Sequence, residues 1–305
     1  MSIVVIGSSN TDMIVRVPRI PRPGETMLGG RFSTAAGGKG ANQAVAAARA
    51  GGRVSLIARV GRDAFGEQAM AGLEREGIAV EGVLSDPHEP SGVALIFVEE
   101  SGENSIAVAS GANARLSPLD LEGSEEGIRA ASILLLQLET PLETVEAAAR
   151  IADEAQVTVI LNPAPARPLS RQLLRYVSIL TPNRIEAEQL TGIAVTDSDS
   201  AEEAARHLLG RGVGSVVVTL GSQGAVWVSQ QGREIVGGHA VEAIDATGAG
   251  DVFNGSLAAA LAQPRTAPEA LAFANAAAAL SVTRRGAQPS APTRDAIERL
   301  LEAAD

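Results

Sequence analysis

Cysteine is absent from this sequence of 305 residues, and histidine occurs only three times, at positions 88, 207 and 239. The absence of cysteine excludes disulfides, thiolate nucleophiles and cysteine-ligated zinc. Three histidines so far apart in sequence also disfavour a histidine-rich metal site. Aromatic residues make up 2% of the chain, so its core must be built from alanine, valine, leucine and isoleucine. With 45% hydrophobic residues, the chain can still bury a sizeable core.

A basic surplus and a long apolar run are also missing. The net charge of −11 disfavours binding to nucleic acid or to an anionic membrane surface. No apolar run reaches the ~18 residues that a membrane span needs, and the N-terminal segment MSIVVIGSSNTD lacks the basic region of a signal peptide. We therefore expect a cytoplasmic protein that contacts neither nucleic acid nor membrane.

Short β-branched runs alternate with alanine-rich stretches along most of the chain. Strands are predicted at residues 3–6, 54–60, 132–138, 157–161, 179–181 and 216–219, and helices at 40–50, 64–76 and 252–262. Apolar strands that alternate with helices predict βαβ units and a mainly parallel sheet, covered by helices on both faces. The predicted fold class is therefore α/β.

Two segments depart from this alternation. Residues 12–32 contain three prolines and no helical period, and residues 91–110 predict a hairpin with its turn near Gly102. Neither segment has a helix to cover it, so we predict a small accessory sheet built from roughly 12–36 and 90–110. In a small-molecule enzyme such a sheet is naturally a lid. An edge hairpin without a gating role is the alternative.

Two common nucleotide-binding fingerprints are absent. The first predicted strand is followed by GSSN at 7–10 and not by G-x-G-x-x-G, so a dinucleotide site of the Rossmann type is not supported. The only lysine, Lys39 in AGGKGANQA, is not a Walker A lysine, because Ser33 and Gly40 stand at two of that motif's defining positions. Lysine is slimmer than arginine, so Lys39 either occupies a crowded functional turn or is there by chance.

The segment DATGAGD at 245–251 leads into a predicted helix. Small residues at a helix start leave several N–H groups free, and together with the positive end of the helix dipole they form an anion site. Asp251 at this point is either the helix N-cap or a general base beside a phosphate.

A second junction of strand and helix, TPNRIE, contains Asn183 and Glu186. Two such residues three positions apart either face a metal–phosphate complex or form a capping box, and the spacing alone favours the box. The later segment TLGSQG at 219–224 ends a strand with a glycine-rich turn. Such a turn is equally consistent with a nucleotide contact and with an ordinary β-turn.

Polar residues also follow two other predicted strands. Asn10 and Asp12 come after the first strand, where α/β sheets place ligand-binding loops. The pair either binds sugar hydroxyls or makes Asx-turns. Glu139 follows the strand at 133–138, and this residue by itself favours a solvated loop acid.

Taken together, these motifs resemble the ribokinase family of sugar kinases, the PfkB carbohydrate kinases. The resemblance spans the whole chain, and the two signatures around Gly38 and Asp251 occur in the family's order, roughly 200 residues apart. It implies a three-layer α/β fold in a single domain over residues 1–305, with a β-sheet lid. It further implies ATP-dependent phosphorylation of D-ribose at O5, Mg²⁺ with the ATP, activation by K⁺, and a homodimer formed through the lids.

The resemblance assigns roles to residues at matching positions. Asp251 would be the catalytic base, with an anion hole at Gly248, Ala249, Gly250 and Asp251. The sugar would be held by Asn10, Asp12, Gly38, Lys39, Gly40, Asn42, Glu139 and Asp251. The nucleotide would contact Asn183, Glu186 (on Mg²⁺ through water), Thr219, Gly221, Ser222, Gly224, Gly250 and Asn275. The monovalent cation would lie at Asp245, Thr247, Ser281, Arg284, Gly286 and Ser290.

Two positions, Ala246 and Ser256, depart from the family signature. Both residues are small, although Ala246 adjoins the cation loop and could change ion affinity.

Two other functions stay open. One alternative is a kinase of another pentose-like substrate, such as 2-deoxyribose, a nucleoside or a ketohexose. Asn10 and Asp12 favour a fully hydroxylated sugar. The other is a silent sugar-binding regulator, which the intact Asp251 disfavours.

Overall fold

The computed structural model describes residues 2–101 and 103–303, so the predicted hairpin turn at Gly102 lies outside the described residues. The strands are β1 (Ser2–Ile6), β2 (Asn10–Val17), β3 (Arg31–Gly37), β4 (Arg53–Gly61), β5 (Ala79–Asp86), β6 (Gly92–Glu99), β7 (Asn104–Ala109), β8 (Ile133–Leu136), β9 (Thr158–Leu161), β10 (Ile179–Leu180), β11 (Ser215–Thr219), β12 (Ala225–Ser229) and β13 (Gly232–Val236). The helices are α1 (Lys39–Arg49), α2 (Ala64–Arg75), α3 (Glu125–Arg129), α4 (Leu142–Glu154), α5 (Arg171–Tyr176), α6 (Arg184–Thr191), α7 (Ser198–Leu209), α8 (Ala249–Leu261), α9 (Ala267–Ser281) and α10 (Arg294–Glu302).

A nine-stranded sheet in the order β13-β12-β11-β10-β9-β8-β1-β4-β5 forms the centre of the molecule. The strands from β11 to β5 are parallel to their neighbours, and β12 and β13 extend the sheet antiparallel at one edge. All four residues of β8 are buried, as expected for a parallel strand with both faces covered. The predicted α/β class with a mainly parallel sheet is confirmed.

Two apolar layers lie on opposite faces of this sheet. Ile3 and Val5 of β1 belong to the layer that contains α1, α8 and α9, whereas Val4 and Ile6 belong to the layer that contains α4 and α7. This alternation follows from the two-residue period of a strand. Full burial of one large aliphatic side chain contributes roughly 1.5–3 kcal/mol. The two layers and the sheet give the three-layer arrangement.

Helix α1 is packed tightly between the end of β1 and helix α8. A Cβ on Gly40 of α1 would lie 2.7 Å from the Cα of Gly7, which directly follows β1. On the other side, a Cβ on Gly255 of α8 would lie 2.4 Å from the carbonyl oxygen of Gln43. Only glycine permits these approaches, and they bring the first turn of α1 to the start of α8.

A second, four-stranded sheet has the order β3-β2-β6-β7. It is formed by the two segments predicted as an accessory sheet, although β2 begins at Asn10, two residues before the predicted boundary. The side chains of β7 are exposed along the whole strand. Other predicted boundaries also shift slightly: β8 ends at Leu136 and not at Leu138, and the amide of Leu138 donates instead to the carbonyl of Ala164. No helix within residues 2–101 and 103–303 is long and apolar enough to cross a membrane.

Candidate active site

Asp251 is buried at the start of α8, with 6% of its surface exposed. The N-cap of this helix is Gly248, whose φ of 75° lies in the left-handed region, so the alternative that Asp251 caps the helix is wrong. Both carboxylate oxygens accept hydrogen bonds from α1: Oδ1 from Gln43 Nε2 and Oδ2 from Asn42 Nδ2, each at 3.0 Å. Asp251 is therefore an acid held by side-chain amides, and its carboxylate is not used to cap its own helix.

The backbone at the start of α8 leaves room for an anion. The amide of Ala249 donates to the carbonyl of Ala246 at 3.2 Å, and that of Val252 donates to Gly248 at 2.8 Å. Among the described residues, the amides of Gly250 and Asp251 have no acceptor. A Cβ on Gly250 would meet nothing within 4 Å, so the space beside this residue is open. Free amides at a helix N-terminus favour a bound anion such as a phosphoryl group.

The glycine-rich turn before α1 is closed by Glu139. Gly38 has a φ of 87°, and the following amide of Lys39 donates to Glu139 Oε2 at 3.1 Å. The hydroxyl of Ser8 donates to the same oxygen. Glu139 is therefore half-buried and engaged in the turn, unlike the solvated loop acid that the residue alone favoured.

Lys39, the only lysine of the chain, is half-buried and lies among acids. Burial lowers the pKa of Lys39, but the negative charges of Asp251, Glu139 and Glu186 raise it, and the net pKa lies above its ordinary value. The ammonium is therefore retained at neutral pH. A fixed positive charge between the glycine-rich turn and the start of α8 suits the binding of negatively charged groups.

The predicted sugar residues Asn10 and Asp12 lie at the beginning of β2. Asn10 Oδ1 accepts a hydrogen bond from Asn113 Nδ2 at 2.8 Å, and it also lines a cavity of about 350 Å³ together with Ser8 and Glu139. Burial, followed by the charges of Glu139 and Asp251, raises the pKa of Asp12 from its ordinary 3.8 to about 6. The folded protein therefore disfavours the ionised form of Asp12.

A second cavity, of about 180 Å³, lies at the start of α8. It is lined by Lys39, Asn183, Glu186, Thr219 and Gly248–Asp251, together with Asn162, Ala164, Thr181, Ala246 and Asn254. The structure therefore brings the predicted base, the predicted anion hole and part of the predicted nucleotide set to one place.

Asn183 and Glu186 both cap a helix and line this cavity. Asn183 Oδ1 accepts from the amide of Glu186 and Glu186 Oε2 accepts from the amide of Asn183, each at 2.9 Å, so the capping box is present. An isolated β-bridge joins Asn183 to Thr219. Burial raises the pKa of Glu186 above its ordinary value, although the amide of Asn183 and the charge of Lys39 oppose this. The capping geometry and the site geometry are therefore compatible.

The remaining predicted nucleotide residues lie beyond Thr219 and do not line this cavity. The turn that contains Gly221, Ser222 and Gly224 packs against the chain after β13, since a Cβ on Gly224 would lie 1.9 Å from the carbonyl oxygen of Val236. Asn275 of α9 donates to the carbonyl of Gly237 at 2.6 Å. Asn275 is thus tied to the segment against which the turn packs.

Asp245 bonds to two of the other predicted cation residues. Its Oδ1 accepts from the amide of Thr247 and its Oδ2 from the amide of Gly286, each at 2.9 Å. Partial burial raises the pKa of Asp245. The hydrogen bonds from Thr247 and Gly286 lower it by more, so the net pKa is below its ordinary value. Ser281 and Ser290 donate locally, to the carbonyls of Ala278 and Ala287. The exposed Arg284 donates its amide to Ser281.

Asp245 offers a carboxylate, and Ser281 and Ser290 offer hydroxyls, which are oxygen ligands of the kind that a hard cation takes. Over the part of the chain that the structure describes, no group of three or more histidine, cysteine, aspartate or glutamate side chains could hold a metal by itself.

Several buried polar residues near Asp251 were missed by sequence reasoning. They are Gln43, Gln137, Asn162, Thr181 and Asn254, and Asn113 plays a similar part beside Asn10. A signal for some of them was present, because Gln137, Asn162 and Thr181 directly follow the consecutive parallel strands β8, β9 and β10. The carboxyl ends of parallel strands meet at one edge of the sheet, where ligand sites form.

Known proteins resemble this chain over nearly its whole length. Residues 1–294 match the pfkB family of carbohydrate kinases. A ribokinase of Haemophilus influenzae is 47% identical over 302 residues, covering 99% of this chain and 98% of the relative. A deoxyribokinase of Salmonella typhi is 38% identical over 302 residues, covering 99% of each.

The structure agrees with these sequence relationships. Arabidopsis thaliana ribokinase, solved with ribose and ATP, superposes with a TM-score of 0.94 at 34% identity, over 99% of this chain and 98% of the other. The predicted resemblance is confirmed by the family match together with this superposition. The chain belongs to the pfkB family of carbohydrate kinases.

Proposed function

We propose that this chain transfers the γ-phosphoryl group of ATP to the O5 hydroxyl of D-ribose, giving ADP and D-ribose 5-phosphate. The observation that carries the proposal is the buried Asp251, fixed by two amide donors beside two free backbone amides at the start of α8. A base next to an anion site is the arrangement that phosphoryl transfer to a hydroxyl requires. The ribokinase of Haemophilus influenzae supports ribose as the acceptor.

In this reaction Asp251 accepts the proton of the sugar hydroxyl while the hydroxyl oxygen forms a bond to the γ-phosphorus and the bond to the ADP oxygen breaks. A positioned general base contributes about 10²–10⁴-fold to the rate. The amides of Gly250 and Asp251 stabilise the charge on the transferring group, as preorganised donors do in a site without bulk water. The ammonium of Lys39 adds a positive charge on the same side of the site.

The sugar lies between Asp251 and the start of β2. Asn42 supports this assignment, because its Nδ2 binds Asp251 while its Oδ1 is buried without a donor from any described residue. A sugar hydroxyl supplies the missing donor, and Asp12 and Glu139 accept hydroxyls on the same side. Gly38, Lys39 and Gly40 form the turn beneath the sugar. A kinase of 2-deoxyribose is the second candidate, because the Salmonella typhi deoxyribokinase is 38% identical.

Two cations are part of the proposal. Mg²⁺ bound to the ATP phosphates would be held through water by Glu186, whose carboxylate lines the cavity at the start of α8, and it would neutralise phosphate charge. The nucleotide itself contacts Asn183, Thr219, Gly221, Ser222, Gly224 and Asn275. K⁺ would be held by the loops that Asp245 joins, at Asp245, Thr247, Ser281, Arg284, Gly286 and Ser290, and would stabilise the turn that leads into Gly248.

The four-stranded sheet acts as a lid, and two lids pair in a cytoplasmic homodimer. The exposed strand β7 supports this, because Ile106 and Val108 are 55% and 53% exposed. Val108 also lines the cavity beside Asn10. A partner lid covers these apolar groups, and closure excludes the water that would otherwise accept the phosphoryl group.

The test is a coupled assay for ADP release with Mg·ATP, with and without K⁺, comparing ribose, 2-deoxyribose, fructose and adenosine. We expect ribose to be preferred by orders of magnitude, K⁺ to stimulate turnover, and Asp251→Asn to lose nearly all activity while still binding the sugar. A faster reaction with 2-deoxyribose would replace the substrate and keep the mechanism. Tight sugar binding without turnover of any substrate would contradict the proposed function.

A further inference from the structure

A chain of two buried glutamines leads to the carboxylate of Asp251. Gln137 Nε2 donates to Gln43 Oε1 at 2.7 Å, and Gln43 Nε2 donates to Asp251 Oδ1 at 3.0 Å. Gln43 is 0% and Gln137 1% exposed. Burying two neutral amides is costly unless they are hydrogen-bonded, so their place beside the predicted base needs an explanation.

The orientation of the two glutamine side-chain amides is set by their hydrogen-bond partners. Gln43 Nε2 also donates to Asn162 Oδ1 at 3.1 Å, and Asn162 Nδ2 in turn donates to the carbonyl of Thr181. If the amide of Gln43 were flipped, its oxygen would face the oxygens of Asp251 and Asn162, and its NH₂ would face that of Gln137. Each glutamine therefore has one favourable orientation, in which Gln137 donates to Gln43 and Gln43 donates to Asp251.

A second branch connects the same network to the proposed anion hole. The hydroxyl of Thr181 donates to Asn254 Oδ1 at 2.6 Å, and Asn254 Nδ2 donates to the carbonyl of Gly250 at 2.8 Å. The network thus contacts both the carboxylate of Asp251 and the peptide that precedes it. These bonds fix the base and the free amides relative to each other.

We infer that Gln43 is a positioning residue for Asp251, and that Gln137 acts through Gln43; this inference rests on the proposed function. Asn42 holds only Oδ2, so without Gln43 the carboxylate can rotate away from the orientation in which it receives the proton. Neither glutamine lines the two cavities described above. Their loss therefore changes the chemical step and leaves substrate binding almost unchanged.

The experiment measures the single-turnover rate of phosphoryl transfer from Mg·ATP to ribose, so that product release does not hide the chemical step. Gln43→Met keeps the length of the side chain and removes the donor. We expect a rate about 10- to 100-fold lower, the range for losing a hydrogen bond to a charged group. The KM values for ribose and ATP should stay close to wild type.

Thr144→Val is the matched control. Thr144 is also 0% exposed and donates one buried hydrogen bond, to the carbonyl of Leu116, but it lies outside this network. It should reduce the melting temperature and leave the transfer rate unchanged.

Gln137→Met tests the hydrogen bond from Gln137 to Gln43. This variant also tests the inference if Gln43→Met does not fold. It should lower the transfer rate less than Gln43→Met, again without a change in KM. The double variant should be no slower than Gln43→Met alone, because Gln137 acts only through Gln43. Additive losses, a rise in KM in place of the rate loss, or a wild-type rate would overturn the inference. A wild type that does not phosphorylate ribose would instead refute the proposed function.

Discussion

At the scale of single residues, the acids of the site differ in the groups that surround them. Asp251 has an amide donor on each oxygen, and Glu139 accepts from the amide of Lys39. Asp12 instead lies near the charges of Glu139 and Asp251, and a Cβ on Gly37 would be 2.3 Å from its Oδ1. Asp12 is therefore the acid whose ionisation the folded protein opposes most clearly.

We predict a pH-dependent gain in stability for Asp12→Asn. Since the pKa of Asp12 is about 6 in the folded state and 3.8 ordinarily, the folded protein retains a proton over this window that the unfolded chain has lost. The free energy of unfolding of the wild type therefore falls, relative to the variant, as the pH rises from 3.8 to 6, and stays lower above it. Melting temperatures at pH 5 and pH 8 should show the larger advantage of Asp12→Asn at pH 8, and an equal difference at both would contradict the prediction.

The same variant should bind ribose poorly. On the proposed function the ionised Asp12 accepts hydrogen bonds from sugar hydroxyls. Asp12 would therefore lower the stability of the folded protein and contribute to substrate binding. In the wild type, the KM for ribose should rise below about pH 6, where the pKa of Asp12 lies. Asp12→Asn should have a raised KM without this dependence.

At the scale of elements, the start of α8 combines a glycine that the backbone requires with one that it does not. Gly248 has a φ of 75°, and a Cβ there would lie 2.7 Å from the Cβ of Ala287. Gly250 has neither restriction. On the proposed function, a glycine that the fold does not need, at the open end of a helix, is explained by a phosphoryl group that approaches its backbone closely.

We predict that Gly250→Ala and Gly248→Ala separate these two roles. Gly250→Ala should lower kcat by about 10- to 1000-fold, because its methyl group enters the anion site, while the melting temperature stays equal or rises. Gly248→Ala should instead lower stability by about 1–3 kcal/mol through backbone strain. Circular dichroism melts and steady-state kinetics on both variants check this. Wild-type turnover by Gly250→Ala would mean that no phosphoryl group approaches this amide.

At the scale of the whole molecule, one face of the second sheet carries both Asp12 and exposed apolar side chains of β7. The cross-strand register aligns Asp12 with Ala94 and Ala94 with Val108, so these three residues share one face of the sheet. Ile106 lies on the same face, two residues before Val108 in β7. A partner that packs against Ile106 and Val108 therefore also stabilises the sheet that carries Asp12.

We predict that Ile106→Glu converts the proposed dimer into a monomer and raises the KM for ribose, because a charge in an apolar interface is not compensated. Sedimentation velocity and steady-state kinetics measure the two effects. Leu119→Glu, at a residue that is 74% exposed outside the lid, should change neither. A wild-type chain that sediments as a monomer would refute the lid dimer and leave the catalytic proposal unaffected.

Much of this molecule could be predicted from its sequence, because the determining interactions are local. The two-residue period of apolar strands defines the α/β layers, and the spacing of Asn183 and Glu186 is sufficient for a capping box. The glycines and Asp251 in DATGAGD predict an anion site at a helix start, and the family resemblance follows from such short motifs.

Only the tertiary structure decided which groups contact one another. Gln43 and Asp251 are 208 positions apart in sequence, and their contact depends on the close approach of α1 to α8 at Gly255. No local pattern distinguishes a glutamine that orients a base from one that faces solvent, because both occupy a helix equally well. Likewise, the sequence around Asp251 is compatible with an N-cap at that residue. Only the structure shows that the N-cap is Gly248, in the left-handed conformation. Burial and hydrogen-bond direction are properties of the packed molecule, which is why the sequence determined the elements and the packing determined the site.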